Sequence, residues 1–311
     1  MIKILTSTEG MSNSEWLQWR NLGIGGSDAS VVCGINQYKS TFELWMEKTG
    51  QVEAKQAGEP AYWGTLLEPI VRSEFEQRTG LLVNQEHSIL QHPKHKFMLA
   101  NVDGVVIDPV KGKCIFEAKT ANQYKLGQWE SGVPEEYLLQ VQHYMAVTSF
   151  EGAYVAALVG GNKFLWHFIK RDNELIDMLI QLEDRFWQYV TTNTPPPFDG
   201  SAACSELLNR LYSSSTSKSC INLPDEAMGL IQQYEDAAEE EKRIAELKDE
   251  ATNKLKSILQ DNEVGIVADR TVSWKTISSD RFDSKSLKSE MPDIYAKYIT
   301  NSSYRRFTIK S

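Results

Sequence analysis

The chain has 311 residues, 41% apolar and 24% charged, proportions that exclude wholesale disorder and collagen-like repeats. Its 33 Lys and Arg stand against 42 Asp and Glu, a formal net charge of −9. That excludes a protein coated in basic charge, although a locally basic groove remains open. At this length folding should bury roughly 75% of the unfolded surface, so no disulfide or structural metal is needed. Cys33, Cys114, Cys204 and Cys220 form no CxxC pair, which argues against a zinc ribbon and fits reduced thiols in a cytoplasm. No apolar run approaches the ~20 residues that cross a bilayer, and the start lacks the basic-then-apolar pattern of an export signal. A soluble intracellular protein is expected.

Residues 13–190 read as a mixed α/β block. Ser14 is placed to cap a helix carrying Glu15, Trp16, Leu17 and Arg20 that stops near Gly23. The turn GIGGSDAS leads into a short helix with Ser27 or Asp28 as its cap. In STFELWMEKTG, Ser40 and Glu43 form a capping box, Lys48 suits the last turn and Gly50 ends the helix. Another helical pattern runs from about Tyr62 to Arg78, interrupted by Pro69 and ended at Gly80. Three strand-like segments follow: LLVNQEHSIL, MLANVDGVVIDP and KCIFEAK. Pro134 suits the first turn of a helix reading PEEYLLQVQHYMAVTS. AYVAALV and FLWHFIK form a hairpin over GGNK, and DNELIDMLIQLEDRFWQYV closes the block as a helix.

Composition then changes. Residues 191–224, with TTNTPPPFDG and SSSTSKSC, read as a linker. Residues 225–263 hold twelve acids and five bases, with Leu230, Ala237, Ile244, Ala251 and Ile258 seven apart. A long amphipathic helix or helical hairpin, packed on a partner along one stripe, is expected. Residues 264–311 hold nine bases and five acids and read strand, helix, strand, a small basic α+β tail packing on the core.

The chemistry concentrates in Asp103 and, one strand later, Glu117-Ala118-Lys119. Strand residues two apart share a face, so Glu117 and Lys119 point the same way. If the two strands pair through DPVKGK, Asp103 comes alongside. Two carboxylates, with a third from the helix bearing Glu68, make a hard-oxygen site suited to Mg2+ or Mn2+. A lysine beside them can orient or deprotonate a water and stabilise charge on a phosphorane-like transition state. This is equipment for phosphodiester hydrolysis.

The surrounding segments come in a telling order. WLQWRNLGIGGSDAS, YWGTLLEPIV, NVDGVV, FEAKT and YLLQVQHYM resemble, motif by motif, the YqaJ-type viral recombinase family. These are relatives of the lambda exonuclease within the PD-(D/E)xK nuclease superfamily. The resemblance spans about residues 14–190, and WKT…RFDSK…YRRF is similar to the tail of phage members. It implies an α/β fold: a PD-(D/E)xK exonuclease core over residues 1–190, with a central mixed β-sheet flanked by helices. The implied activity is Mg2+-dependent 5′-to-3′ exonuclease action on double-stranded DNA, leaving 3′ single-stranded tails for phage-type recombination by strand annealing.

By the same resemblance, Asp103 and Glu117 ligate metal with the Ala118 carbonyl, and Lys119 is the catalytic lysine. Glu68 acts near the metals through water. Two ions per site are implied, Mn2+ substituting for Mg2+. Arg20, Ser27 and Gln140 match positions that hold a terminal 5′-phosphate. Asn101 stands where the lambda exonuclease has a serine donor, and an amide can still donate. The implied partners are duplex ends bearing a 5′-phosphate, a single-strand annealing protein and further copies in a homotrimeric ring. The implied setting is the cytoplasm of a bacterium or phage-infected host. Two rival readings are a structure- or site-specific DNA endonuclease and a catalytically silent DNA-binding scaffold. The second is disfavoured because Asp103, Glu117 and Lys119 are all present.

Tyr137, Gln140 and Tyr144 lie at i, i+3 and i+7 on one helix face, either a DNA-contacting surface or a polar edge of the core. Gln142 and the five histidines, His87, His92, His95, His143 and His167, read as structural or solvated, and Cys114 as buried filling. Trp129, beside the flexible GQWESG stretch, is the tryptophan best placed to touch DNA. In the tail, Trp274-Lys275 and Tyr304-Arg305-Arg306-Phe307 interleave aromatic and basic residues. They form either a nucleic-acid surface or inward-packing alternate positions of a strand.

Overall fold

A computed structural model describes residues 2–53, 58–216, 219–300 and 304–309. The chain divides into two compact units, Met1–Leu211 and Tyr212–Ser311. In the first, β1 (Lys3–Ser7) precedes α1 (Asn13–Arg20), and β2 (Ile24–Gly25) runs directly into α2 (Gly26–Val32). Next come α3 (Thr41–Lys48) and the long α4 (Glu59–Thr79). Short strands β3 (Val83–Asn84), β4 (Ser88–Gln91), β5 (Met98–Ala100) and β6 (Gly104–Asp108) lead to the central β7 (Gly112–Ala121). Helices α5 (Leu126–Ser131) and α6 (Glu135–Thr148) precede the hairpin β8 (Gly152–Val159) and β9 (Lys163–Lys170). The unit closes with α7 (Asn173–Thr191) and α8 (Ala202–Leu211).

The main sheet has the order β3-β6-β7-β8-β9. Strand β7 pairs antiparallel with β6 and parallel with β8, so the sheet is mixed. A smaller sheet has the order β1-β4-β5-β2. Each of the first two strand-like segments feeds both sheets: LLVNQEHSIL supplies β3 and β4, and MLANVDGVVIDP supplies β5 and β6. Alternation along β7 builds the layers. Cys114 and Phe116 pack with Val71 and Phe75 of α4, whereas Ile115 joins Val141 and Met145 of α6 on the other face. The result is an α/β fold, a mixed sheet flanked by helices.

Several local expectations change. Helix α1 is capped by Ser12 rather than Ser14, because Ser12 and Glu15 complete a reciprocal capping box. Gly25 is the N-cap of α2, and Asp28 reaches back to accept the Gly25 N–H at 3.1 Å; Ser27 lies inside the helix. Ser40 caps α3, but the buried Glu43 turns to Arg210 at 2.7 Å instead of completing the box. Helix α4 continues through Pro69 to the left-handed Gly80, since Val71 and Phe75 are anchored beneath the sheet just beyond the proline. The linker expected over 191–224 contains α8, whose Ala203, Cys204 and Leu207 are buried; that short apolar stripe is masked by the surrounding Ser, Thr and Pro. Residues 217–218 of that stretch lie outside the described residues.

In the second unit, α9 (Ala227–Leu259) is one continuous helix, followed by the hairpin β10 (Val264–Val267) and β11 (Arg270–Ser273). The stripe expected to meet a partner is exposed in this chain: Leu230, Ala237, Ile244, Ala251 and Ile258 all face solvent. Ion pairs one turn apart, Glu240–Arg243 and Glu250–Lys254, support the helix without such a cover. The tail adds α10 (Ser284–Glu290) and α11 (Pro292–Tyr298), two helices where one was expected. Residues 304–309 form no strand, so Tyr304 and Phe307 are exposed rather than turned inward. Lys310, the end of that expected strand, lies outside the described residues. Among the described residues, no helix is long and apolar enough to cross a membrane.

Candidate active site

Strand β7 directs Glu117 and Lys119 toward α6. Glu117 is 2% exposed, and its Oε1 accepts from Lys119 Nζ and from Gln140 Nε2, each at 2.6 Å. Its Oε2 is buried with no partner among the described residues. Asp103 stands one residue before β6 rather than within a strand, and its Oδ2 accepts the Ala118 N–H at 2.8 Å. The β6–β7 ladder ends at Gly104↔Phe116, so the next residues of β7 have a free edge there. N–H and C=O of one strand residue face the same edge, which puts the Ala118 carbonyl on Asp103's side.

The electrostatics follow from burial. The Glu117 carboxyl is pushed up to about 8, first by burial and then by the charge of Asp103, with Lys119 opposing. Burial likewise raises Asp103, against Lys119 and the Ala118 N–H. Burial works to lower Lys119, but Glu117 and Asp103 outweigh it and keep the ammonium charged. That ammonium lies 5.0 Å from the Tyr137 ring centroid. Glu68 is carried by α4, the helix on the opposite face, and faces Arg72 at 3.8 Å. Burial and then Asp103 raise its carboxyl, so it senses the cluster without sharing its hydrogen bonds. Among the described residues, no three His, Cys, Asp or Glu side chains converge into a metal cage.

A second group of residues meets this one. Arg20, the last residue of α1, donates from Nη2 to Ser27 Oγ at 2.7 Å and to Asp28 Oδ1 at 3.0 Å. Its guanidinium lies 4.9 Å from the Trp16 ring centroid. Trp16 Nε1 in turn donates to Asn101 Oδ1 at 2.8 Å. An indole can only donate, so this bond fixes the amide and leaves the Asn101 NH2 group as a donor. Arg20, Ser27, Asn101, Asp103, Glu117 and Gln140 all line one cavity of about 200 Å³. Lys119 and Tyr137 line an adjoining cavity of about 240 Å³ that shares Ser27 and Gln140. A larger one, about 960 Å³, shares Trp16, Arg20 and Asn101. Gln140 departs from expectation in one respect: its amide donates to Glu117 and to Tyr144 Oη, at 3.0 Å, rather than standing free.

Sequence reasoning passed over Asp28 as a partner of Arg20, and Lys48 behind it. It also missed why Gly26 is a glycine: a Cβ there would lie 2.4 Å from the Tyr144 ring. Only the GG pair hinted at such a close approach. Trp129 is the plainest correction. It is 1% exposed and stacked on Tyr137, with ring centroids 5.5 Å apart, so it belongs to the core and not to a DNA surface. Gln142 is structural, donating to the Lys170 carbonyl and accepting from the Asp172 N–H. His143 is wholly buried between Glu183 and the Leu99 carbonyl.

Known proteins bear on this arrangement. The crystal structure of an alkaline exonuclease (LHK-Exo) from Laribacter hongkongensis is similar in fold, with a TM-score of 0.51 and 22% identity over 65% of this chain and 98% of that one. The same enzyme in complex with dAMP matches over the same shares with a TM-score of 0.50. The uncharacterized protein YqaJ of Bacillus subtilis (strain 168) is 42% identical over 99% of this chain and 97% of its own. Residues 15–151 match the YqaJ-like viral recombinase domain, a span that contains every residue lining the cavity of about 200 Å³. The chain therefore belongs to the YqaJ-like viral recombinase family.

Proposed function

We propose that the protein is a Mg2+-dependent 5′-to-3′ exonuclease that degrades one strand of double-stranded DNA and leaves 3′ single-stranded tails for recombination by annealing. One observation carries this reading. A single small cavity is lined both by the Asp103–Glu117 carboxylates and by the Arg20–Ser27 pair suited to a terminal phosphate.

The residues fit a hard divalent cation. Glu117 Oε2 is a buried carboxylate oxygen without a donor among the described residues, and the Asp103 and Glu117 carboxyls beside Lys119 are both raised. Mg2+ is commonly held by one or two carboxylates with water and substrate phosphates completing its octahedron, and Asp103 and Glu117 line the same cavity. Asp103, Glu117 and the Ala118 carbonyl would hold it, Mn2+ substituting. Two ions need Glu68 as a further oxygen donor, turned from Arg72. When bound, the ion supplies Lewis-acid polarisation of the scissile phosphate and a neutral balance for the carboxylates.

The chain's own groups do the rest. Lys119 keeps its proton beside Glu117, where it offsets negative charge gathering on the phosphate oxygens. Gln140 holds Glu117 in place, and the Ala118 N–H holds Asp103. Arg20, Ser27 and the Asn101 amide engage the 5′-phosphate, fixing which end of the strand is presented. An annealing partner and a homotrimeric ring in a bacterial or phage-infected cytoplasm complete the reading.

The test compares linear duplex with a 5′-phosphate, linear duplex with a 5′-hydroxyl and closed circular duplex, each with Mg2+ and with chelator. Rapid Mg2+-dependent loss of the 5′ label from phosphorylated ends is expected, with circles intact. Cutting of circles would favour a structure- or site-specific endonuclease, and no hydrolysis with any divalent ion would favour a DNA-binding scaffold.

A further inference from the structure

The phosphate end of the cavity rests on two charges that the proposed chemistry does not use. Asp28 is 4% exposed, and its two oxygens have three partners. Oδ1 accepts from Arg20 Nη2 at 3.0 Å, while Oδ2 accepts from the Gly25 N–H at 3.1 Å and from Lys48 Nζ at 2.9 Å. Lys48 ends α3, and its side chain is 3% exposed. The same Nζ donates to the main-chain carbonyl of Arg20 at 2.9 Å. One buried ion pair therefore grips Arg20 at both ends, the carboxylate on its guanidinium and the ammonium on its backbone.

Both contacts answer a physical need. Arg20 is the last residue of α1, where carbonyls lose their helical partners, and Lys48 supplies a charged donor. An arginine side chain left alone samples many rotamers. Here the Trp16 face, the Asp28 carboxylate and the Ser27 hydroxyl all hold it. Nη2 is occupied by Ser27 and Asp28, whereas Nε and Nη1 have no hydrogen-bond partner among the described residues. A desolvated pair is a costly way to cap two helices, because an apolar pair of similar volume often serves stability as well. Its position suggests a second purpose.

Resting on the reading of Arg20 as the group that meets a terminal 5′-phosphate, we propose that Asp28 and Lys48 are positioning residues for end recognition. The buried pair holds the guanidinium with Nε and Nη1 free for the phosphate, and so sets the preference for phosphorylated over hydroxyl ends. Neither residue touches the substrate. Because binding depends on donors arranged in advance, loosening Arg20 should weaken capture of the phosphate and spare the chemical step.

The experiment uses the full chain with Mg2+ and duplexes that differ only in the 5′ group. Asp28→Asn with Lys48→Met removes both charges together and avoids leaving one buried alone. Circular dichroism checks that the variant folds. Expected is a rise in KM of about tenfold on 5′-phosphorylated ends, with kcat and the 5′-hydroxyl KM within about twofold of the unmodified protein. An unchanged preference in the folded double variant overturns the proposal. Asp28→Glu keeps the charge but displaces it by one methylene. It should lose part of the preference, and full retention there counts equally against the pair. Equal treatment of both ends by the unmodified protein would overturn the phosphate reading itself. A preference that Arg20→Ala erases and the double variant keeps would overturn the role of the pair alone.

Discussion

Gln140 Nε2 donates to Glu117 Oε1 across 2.6 Å, so an amide lining the cavity shared with Arg20 and Ser27 also holds the Glu117 carboxyl. The same nitrogen reaches Tyr144 Oη, and Tyr144 packs on Gly26, the first residue of α2. The two halves of the cavity are thereby mechanically joined. Replacing Gln140 by Leu should cost about 1–3 kcal/mol of stability, because it strips a buried carboxylate of a donor. Turnover should fall by more than substrate capture does. Urea unfolding and steady-state kinetics on the same preparation check both.

Crowded carboxylates make a testable statement about metal. Mg2+ should raise the thermal midpoint of the unmodified protein, by the equivalent of about 2.7 kcal/mol when the ion is present at 100 times its Kd. Glu117→Gln removes a buried carboxyl that is costly to ionise without a cation, so the metal-free variant should be at least as stable as the parent. It should show no Mg2+ shift and no hydrolysis. Differential scanning calorimetry with and without chelator reads this out.

The close approach at Gly26 gives a steric prediction. A methyl there meets Tyr144 Cε1 at 2.4 Å, inside contact distance, so the ring or α2 must move. Gly26→Ala should cost about 1–3 kcal/mol and reduce activity through the displaced Tyr144–Gln140 contact. Gly127→Ala is the control, since nothing lies within 4 Å of its added methyl.

Much of this arrangement was legible in the sequence because it follows local periods. Glu117 and Lys119 share a face by strand alternation, and the short DPVKGK connection was enough to bring Asp103 to Ala118. What escaped was set by distant packing. Lys48 meets Asp28 from a separate helix, so no spacing rule marks it. Trp129 lies in a stretch that reads as flexible, yet Tyr137 and the rest of the core cover it. The strand-like runs hid a switch between sheets near Glu86 and Asn101, because both halves of each run are equally apolar. Composition over 191–224 hid α8, whose buried face needs only three small or apolar residues.

The buried His143 predicts alkaline sensitivity. Its two ring nitrogens lie 2.8 Å from Glu183 Oε1 and from the Leu99 carbonyl, an arrangement in which a doubly protonated ring donates to both. Burial works to lower its pKa, but Glu183 and the Leu99 carbonyl outweigh it and raise the value above 6.5. The stabilisation is therefore complete below the unfolded value and fades as pH rises through the folded one. Unfolding free energy should be lower at pH 9 than at pH 6. His143→Gln should be roughly 3–5 kcal/mol less stable at pH 6, through the uncompensated Glu183, with a narrower gap at pH 9. Urea titrations at the two pH values decide it.

Lys119 offers the most direct measurement of the whole reading, because its ammonium is bonded to Glu117 without being a metal ligand. Lys119→Ala should be assayed for Mg2+-dependent release of nucleotides from 5′-phosphorylated duplex, with the Mg2+ shift in thermal midpoint recorded on the same sample. The expected result is a folded protein that still responds to Mg2+ and releases nucleotides at least 100-fold more slowly, about 2.7 kcal/mol in barrier. Undiminished hydrolysis by folded Lys119→Ala would contradict a phosphodiesterase centre at Asp103, Glu117 and Lys119.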